Sequence, residues 1–530
     1  MHTTDSGSAA TVSGADDPGH GPAAPTAATV EVVVVAVVAV LAGGVLRFAT
    51  TSSLWLDEAL SVNIAQLPLG DIGSWLRHDG HPPLYYWLLH GWIEVFGSGD
   101  VAVRALSGVF GLVTLPLAYL AGRRRGGPLL GWVVLAVVAL SPFAVRYSDE
   151  ARMYAMVMLL AFAGYLLADD VLRRGRDGWG RLVGVALVGA ALLWTHYWSI
   201  WLLAAAALVA LWRVWRPTRP ADRAAALRFL GALVGAGILF LPWLPSMLYQ
   251  SAHTGTPWAD PMRPSVAFAF FLFDFGSGLY ADAGFFALVT TLLLALGLFG
   301  RARGTRHIDL DLATEPQLRA EAIVGGLTFL IGIALAFVLR GAFATRYGAV
   351  VFPFVALLVA GGVTRFGARW VRFAVLLVVC GYLGIGALWN IADTRTQMGA
   401  IGAAIDEAAQ PGDLVIWCPD QLGPAGSRAV SAEVRQVSYP TFGDPALVDW
   451  VDYGDRNAAS DPVAFAQRAL EEAGPDGSVF LVWNTEYKTF DGQCEAVLNT
   501  LAAARPAQLL VEQQSTKFEH GYLTLFPAPA

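Results

Sequence analysis

The sequence predicts an all-α polytopic membrane protein of about eleven transmembrane helices, followed by a small α/β domain. Three observations predict this class. The chain is 55% hydrophobic and only 15% charged, whereas soluble proteins average about 25% charged residues. Eleven mostly apolar runs are about as long as a membrane-spanning helix requires. Arginines cluster in the short segments between these runs.

The N-terminal segment, residues 1–29, is rich in small and polar residues, which predicts a disordered tail. Neither a basic segment before the first apolar run nor a cleavage site after it is evident, so we expect this run to be a retained helix. An apolar stretch at 265–279 is broken by Asp274, Gly and Ser and predicts a re-entrant or surface helix. The predicted spans are 30–49, 101–121, 128–147, 152–171, 181–197, 199–215, 228–249, 281–299, 322–339, 347–364 and 371–390.

Five arginine clusters indicate the orientation of these spans. With eleven spans, all five fall on one side if the N-terminus is cytoplasmic, as the positive-inside rule requires. We therefore expect a multi-pass protein of the plasma (inner) membrane, with the loop 50–100 and residues 393–530 outside. Nearly all basic residues are Arg in a chain rich in Ala, Gly and Val, which indicates coding bias and no nucleic-acid-binding surface. The clusters are Arg123–Arg125, Arg173–Arg176, Arg213–Arg223, Arg301–Arg306 and Arg365–Arg372.

Residues 393–530 form the third predicted part, after the tail and the transmembrane domain 30–392. Strand-like runs at 413–418, 478–483 and 508–513 alternate with helix-like runs at 461–473 and 491–504. This alternation is typical of a small α/β domain. Cys418 and Cys494 lie in it, and in an oxidising exterior we expect them to form a disulfide.

Two adjacent carboxylates, Asp57 and Glu58, follow the first span in an apolar setting. Neighbouring carboxylates beside apolar surface repel each other and are poorly solvated, which raises at least one pKa and suits a general base. The alternative is that they cap an interfacial helix starting at Ala59, because Asp favours that position.

A second candidate, His81, precedes the aromatic segment PPLYYW. Pro82 and Pro83 favour a helix start, and the aromatic residues that follow suit the membrane interface. His81 would then stand where a helix N-terminus can meet a phosphate. The alternative is a structural histidine.

The third cluster, RYSDEARMYAM at 146–156, contains Asp149, Glu150, Arg152 and Tyr154. Ionisable residues at a membrane boundary are costly unless they are paired, hydrated or functional. The cluster therefore predicts a site, with a self-satisfied group of salt bridges as the alternative.

Two weaker signals lie at other predicted outer turns. His196 and Tyr197 occur in WTHYWSIW, where an aromatic belt is the alternative to a binding role. Arg346 and Tyr347 begin the tenth span, and Arg346 there would either bind a lipid phosphate or extend to lipid headgroups.

Three motifs in this order, LDEA at 56–59, HPPLYYW at 81–87 and SDEARMY at 148–154, carry a resemblance. Together they resemble the GT-C superfamily of membrane glycosyltransferases, and most closely its family 39 group. That group includes protein O-mannosyltransferases, RgtA/B/C/D-like proteins and aminoarabinose transferases. The resemblance covers roughly residues 30–390 and leaves the C-terminal domain outside.

The resemblance implies roles for the candidate residues. Asp57 would be the catalytic base, Glu150 the acidic residue of the third motif, and His81 a neighbour of the donor phosphate. Where bacterial relatives often have Gln before that Glu, this chain has Asp149, so either carboxylate could face the site. Family members use polyprenyl-phosphate sugars, sometimes with a divalent metal such as Mg, Mn or Ca. The candidate metal ligands here are Asp57, Asp149 and Glu150.

The expected function is transfer of a mannose- or arabinose-like sugar from a polyprenyl-phosphate donor in the membrane lipid to a glycan, lipid or protein acceptor. Direct displacement with one base predicts inversion at the anomeric carbon. Neither a Walker motif nor a Rossmann fingerprint is evident, so nucleotide-sugar machinery is not expected. The alternatives are a lipid-linked glycan transporter or flippase, a glycan-binding membrane scaffold, and a ligase that moves whole glycans. A transporter would need charges near the mid-membrane and paired repeats.

Overall fold

A computed structural model describes residues 28–255, 261–277 and 283–529. Residues 1–27 of the predicted tail lie outside the described residues. The described chain consists of a helical bundle, a helical loop between its first two spans, and a C-terminal α/β part. Sixteen helices form the bundle and its loops in the described residues: α1 Val30–Leu46, α2 Leu56–Ala65, α3 Leu69–Leu76, α4 Leu84–Phe96, α5 Asp100–Leu140, α6 Pro142–Ser148, α7 Tyr154–Leu172, α8 Trp179–Thr195, α9 Ser199–Trp215, α10 Pro220–Phe240, α11 Leu244–His253, α12 Pro264–Gly276, α13 Ala283–Phe299, α14 Arg319–Val338, α15 Phe352–Thr364 and α16 Arg369–Ala392.

Within the described residues each predicted span overlaps one or two of these helices, and residues 281–282 of the eighth span lie outside the described residues. Helix α5 contains two spans, because the backbone leaves helical geometry at Gly126 and Gly127 beside the first arginine cluster. Within the described residues, five helical stretches are long and apolar enough to cross a bilayer, and six shorter apolar helices accompany them. The prediction of a polytopic helical membrane protein is therefore confirmed.

Most of the apolar stretch 265–279 lies in α12, Pro264–Gly276, and residues 278–279 lie outside the described residues. Helix α12 packs against α6 and α13, and its Phe271 and Phe275 are buried. Asp274 is also buried and accepts a hydrogen bond from the Tyr147 hydroxyl at 3.1 Å. One oxygen of this acidic residue is thus bonded inside the bundle, and Asp274 Oδ1 is buried without a hydrogen bond in the described residues.

The loop between the first two spans is helical and contains α2, α3 and α4. It packs on the bundle through α4 against α5 and α8. Pro83 directly precedes α4, as expected for a helix start. A short antiparallel hairpin, β1 Gly300–Arg303 with β2 His307–Leu310, carries the fourth arginine cluster.

The C-terminal part contains a five-stranded mixed sheet, with strand order β4-β3-β5-β7-β6. Strands β3, β4 and β5 are parallel, and β7 pairs antiparallel with both β5 and β6. The predicted strands and helices are all present, and three helices (α17, α18 and α19) and two strands (β4 and β7) were missed. The elements are α17 Met398–Ala408, β3 Leu414–Cys418, α18 Gly423–Ala429, β4 Arg435–Ser438, α19 Tyr453–Ala458, α20 Pro462–Ala473, β5 Val479–Trp483, α21 Gln493–Ala504, β6 Gln508–Val511 and β7 Tyr522–Phe526.

Cys418 ends β3 and Cys494 begins α21; their Cα atoms are 5.7 Å apart and the two residues form a disulfide. The C-terminal part also contacts the loop that precedes the second span. Arg428 donates to the side chain of Asn63 at 3.2 Å and to the carbonyl of Ser98 at 2.9 Å. The α/β part therefore rests on the same end of the bundle as α2.

Candidate active site

Four segments of the chain converge at the end of the bundle on which the α/β part rests. They are the first turn of α2, the residue that precedes the Pro82–Pro83 pair, the loop between α6 and α7, and a 3-10 turn at Thr345–Val350 before α15. Helix α2 begins at Leu56 with Trp55 as its N-cap residue, so the alternative that Asp57 caps a helix starting at Ala59 is wrong. The three motifs of the sequence thus meet at one place.

Asp57 lies between two guanidinium groups. Its Oδ2 atom is 3.3 Å from Nη2 of Arg346 and 3.7 Å from Nη2 of Arg152. This oxygen makes no hydrogen bond within the described residues, although it is in ion-pair contact with both arginines. The side chain of Asp57 keeps 19% of its surface exposed. Asp57 Oδ2 is therefore a buried atom held by charge, while the rest of the side chain is partly exposed.

Glu58, by contrast, is fully buried and fully engaged. It accepts from Arg104 Nε at 2.7 Å and Nη2 at 2.6 Å, and from the Ala151 amide at 2.9 Å. Burial alone would raise the pKa of Glu58, but Arg104 outweighs it and holds the pKa below its usual value. This geometry connects α2 to the second span and to the loop after α6.

Asp149 and Glu150 are also buried, with about 1% of each exposed. Asp149 accepts from the Thr50 amide at 3.1 Å, and Glu150 accepts from Arg395 at 2.7 Å and from Arg146 at 3.4 Å. Burial raises the pKa of Asp149 to about 7, against the opposing effect of nearby arginines. Both carboxylates thus face partners inside the protein.

His81 belongs to a short chain of polar groups that ends at Arg152. Its Nδ1 atom is 2.8 Å from Asp79 Oδ2, and its Nε2 atom is 3.3 Å from Arg152 Nη2. Because Asp79 accepts, Nδ1 carries the proton and Nε2 accepts from Arg152. Burial would raise the pKa of Asp79, but His81 and Arg152 hold it below its usual value. Arg152 also donates to the Ser61 hydroxyl at 2.9 Å.

Aromatic rings form one wall of the same region. The His196 ring lies 5.6 Å from Tyr154 and 5.3 Å from Tyr347, and 6.3 Å from His81. Burial, reinforced by the positive charges of Arg152 and Arg346, lowers the pKa of His196 well below its usual value. Its Nδ1 accepts from the Trp198 amide at 3.2 Å, which leaves an Nε2–H as a donor.

Tyr197 differs from the other predicted residues. Its hydroxyl donates to Gln250 and accepts from the Trp243 indole at 2.9 Å. Gln250 in turn donates to the carbonyl of Leu76 at 2.6 Å. Tyr197 therefore connects α8 and α9 to α11 and to the end of α3, and it has no contact with Asp57 or Arg346 in the described residues.

The three predicted metal ligands do not form a metal site. Asp57 faces two arginines, Glu150 faces Arg395, and Asp149 faces a backbone amide. Divalent cations such as Mg²⁺ and Ca²⁺ require several converging oxygen ligands. Within the described ranges no group of three or more His, Cys, Asp or Glu residues has that arrangement. The residues present therefore do not fit a divalent metal.

Several site residues were not singled out from the sequence. Arg104 and Arg395 neutralise Glu58 and Glu150, and Asp79 orients His81. Arg104 had a readable signal, because an arginine inside an apolar span requires a partner or a function. Arg395 and Asp79 lie in polar segments, where a charged residue is unremarkable, so only the fold reveals their roles.

The fold and the site together define a polytopic helical membrane protein with an acidic residue and two guanidinium groups at one end of the bundle. The model of the family described as dolichyl-phosphate-mannose-protein mannosyltransferase matches residues 80–245. No curated protein matches the chain significantly by sequence.

Solved structures provide the second comparison. The crystal structure of ArnT from Cupriavidus metallidurans in the apo state is similar, with a TM-score of 0.57, 14% identity, and coverage of 93% of this chain and 97% of that one. The structure of the same protein bound to undecaprenyl phosphate matches with a TM-score of 0.53, 15% identity, and coverage of 94% and 98%. At these identities the likeness establishes the fold. With the family match, it confirms the predicted class, a GT-C membrane glycosyltransferase.

Proposed function

We propose that this protein transfers a sugar from a polyprenyl-phosphate donor to the hydroxyl of a glycan, lipid or protein acceptor, with Asp57 as the general base. One observation carries the proposal. Of the four predicted acidic residues, only Asp57 is partly exposed, and it faces two guanidinium groups without a hydrogen bond at its Oδ2 atom. The other three are buried and bonded to internal partners.

The donor phosphate would bind where Arg346 and Arg152 now meet Asp57. Phosphate oxygens accept charge-assisted hydrogen bonds from guanidinium groups, so an incoming phosphate competes with the carboxylate for both cations. Asp57 is thereby released from its ion pairs at the moment when a base is required. His81 is oriented by Asp79 and accepts from Arg152, so it would position that guanidinium group beside the phosphate.

The reaction then follows from these positions. Asp57 takes the proton of the acceptor hydroxyl while the acceptor oxygen bonds to the anomeric carbon and the bond to the phosphate oxygen breaks. Arg152, positioned by His81, and Arg346 stabilise the charge that develops on the departing polyprenyl phosphate. One displacement with one base inverts the anomeric centre. His196 lies beside Tyr154 and Tyr347 at the site, and its Nε2–H would donate to a hydroxyl of the sugar.

Glu58 and the pair Asp149 and Glu150 have supporting roles in this scheme. Glu58 joins α2 to Arg104 and to the loop that carries Arg152, and Glu150 joins that loop to Arg395. These buried ion pairs fix the distance between the base and the phosphate-binding arginines. A buried carboxylate that is bonded to internal partners lacks the access to an acceptor hydroxyl that a base needs.

The comparisons support the donor class without identifying the sugar. The matching family model is named for a dolichyl-phosphate-mannose donor, and the similar ArnT structure holds undecaprenyl phosphate. We propose a mannose-like or arabinose-like sugar on such a carrier, and an orientation with the N-terminus cytoplasmic and the α/β part outside. The five arginine clusters support that orientation.

Binding of undecaprenyl phosphate to purified protein tests the donor proposal. Arg346→Gln should weaken the Kd roughly tenfold to hundredfold, because a hydrogen bond to a charged group contributes about 1.5–3 kcal/mol. Arg435→Gln is the matched control, since Arg435 pairs with Glu472 in the α/β part. Equal affinities for wild type and Arg346→Gln would remove Arg346 from the donor site.

A further inference from the structure

The segment between β6 and β7 reaches from the α/β part to the α2 end of the site. The Glu519 amide donates to the carbonyl of Arg395 at 3.0 Å, and its carbonyl accepts from the Gln397 amide at 2.8 Å. The neighbouring Phe518 ring packs edge-on against Trp55 at 5.2 Å. Trp55 is the N-cap residue of α2 and lies under the Arg346 guanidinium at 5.8 Å. The C-terminal segment is thus fixed beside the turn that carries Asp57.

The Glu519 side chain is 2% exposed and faces that turn. Neither of its carboxyl oxygens makes a hydrogen bond within the described residues. The Leu56 amide and the Thr396 hydroxyl are the polar groups that face it and favour its charged form. Asp57 and Glu58 disfavour that form by like charge. Among the described residues Glu519 has no cationic partner, and an acidic side chain buried without one is costly to retain; such groups concentrate at functional sites.

We infer that Glu519 is a positioning residue, by which the α/β part keeps the turn of Asp57 in place and sets the charge around it. The inference rests on the proposed role of Asp57. Burial excludes direct contact between Glu519 and a large substrate, so its effect passes through the α2 turn. The C-terminal domain then completes the active site and does more than cover it.

The protonation state of Glu519 decides that charge. Burial raises the pKa of Glu519 to about 8, so the side chain is mostly neutral at pH 7 and ionised at pH 9. The charged groups facing it are Asp57 and Glu58 on α2. The charge of Glu519 also acts on Tyr487, whose pKa is raised mainly by burial. His520, the next residue along the chain, pairs with Glu486 at 3.2 Å. Ionisation places a third carboxylate at the α2 turn, which opposes the binding of an anionic phosphate.

Binding of undecaprenyl phosphate measured between pH 7.5 and 9.5 tests this inference. Wild type should lose roughly threefold to tenfold in affinity across that range, the size expected from one added like charge. Glu519→Gln keeps the shape of the neutral carboxyl and should bind with nearly constant affinity. Glu512→Gln is the matched control, because Glu512 is an exposed acidic residue of the same segment, and it should follow wild type.

Two other results separate the possible failures. Wild-type protein that binds no undecaprenyl phosphate at any pH contradicts the proposed function itself. Wild type and Glu519→Gln with the same loss of affinity contradict only the role of Glu519. If Glu519→Gln does not fold, Glu519→Ala serves as the second variant; it should also lack the pH dependence while binding more weakly at pH 7.5.

Discussion

Glu58 and Asp57 are adjacent in sequence, yet their replacements should have opposite consequences. Glu58 is fully buried and makes two hydrogen bonds to Arg104, whose side chain is 5% exposed. Glu58→Gln removes the negative charge and leaves the Arg104 guanidinium buried without compensation. Breaking one partner of a buried ion pair costs about 3–5 kcal/mol. We therefore expect the variant to lower the free energy of unfolding by about that amount.

Asp57→Asn is the comparison variant, and its stability should change little. Asp57 and Arg346 each keep about a fifth of their side-chain surface exposed, at 19% and 20%. Partly exposed ion pairs contribute about 1 kcal/mol or less. Thermal unfolding of the purified proteins in detergent, followed by tryptophan fluorescence, measures both effects.

The expected order of melting temperatures is wild type near Asp57→Asn, with Glu58→Gln clearly lower. A Glu58→Gln protein that melts with wild type but transfers no sugar would refute this reasoning. Glu58 would then be a catalytic residue, and its bonds to Arg104 would be incidental to folding.

Two further predictions concern pH and topology. Because the folded pKa of Asp149 is raised to about 7 from an ordinary 3.8, its neutral form stabilises the fold at low pH, and this stability is lost as pH rises from about 4 to 7. Asp149→Asn should therefore be more stable relative to wild type at pH 8 than at pH 4 in thermal unfolding; an equal difference at both values would contradict the buried assignment. Ala459→Cys, exposed in the α/β part, should react with a membrane-impermeant maleimide in intact cells, whereas Ala221→Cys should react only after permeabilisation. The reverse pattern would overturn the proposed orientation.

The helical architecture could be predicted from sequence because its signals are local. An apolar run of about 20 residues in a chain with few charges has few alternatives to a spanning helix. Strands β3 and β5 were predicted for a similar reason, since both are short, fully apolar and flanked by turn residues. Strands β4 and β7 were missed because β4 is short and mostly polar and β7 follows an irregular segment.

The site was predicted in part. The residues that were missed act through contacts between positions far apart in the sequence, which sequence motifs do not show. Motifs gave Asp57, His81, Arg152 and Arg346, which the structure brings together. Distinguishing Asp57 from Glu58 required the position of Arg104, which lies 46 residues further along the chain.

Glu519 could not be singled out from sequence. It lies 462 positions after Asp57 in a polar segment, and no pattern marks it. Only the packing of the α/β part on α2 brings the two acidic residues to the same turn. A residue whose role depends on the contact between two domains can therefore be recognised from the structure but not from the sequence.

The central claim is that Asp57 activates the acceptor hydroxyl, and the turnover of Asp57→Asn tests it most directly. Membranes containing the protein and its native acceptors would be supplied with labelled polyprenyl-phosphate mannose, and undecaprenyl phosphate binding would be measured on the same variant. Asparagine keeps the shape but cannot take the proton, so turnover should fall roughly 10²- to 10⁴-fold with binding retained. Asp71→Asn, an exposed acidic residue on α3, should transfer normally. A folded Asp57→Asn protein that binds undecaprenyl phosphate and transfers sugar near the wild-type rate would contradict the claim.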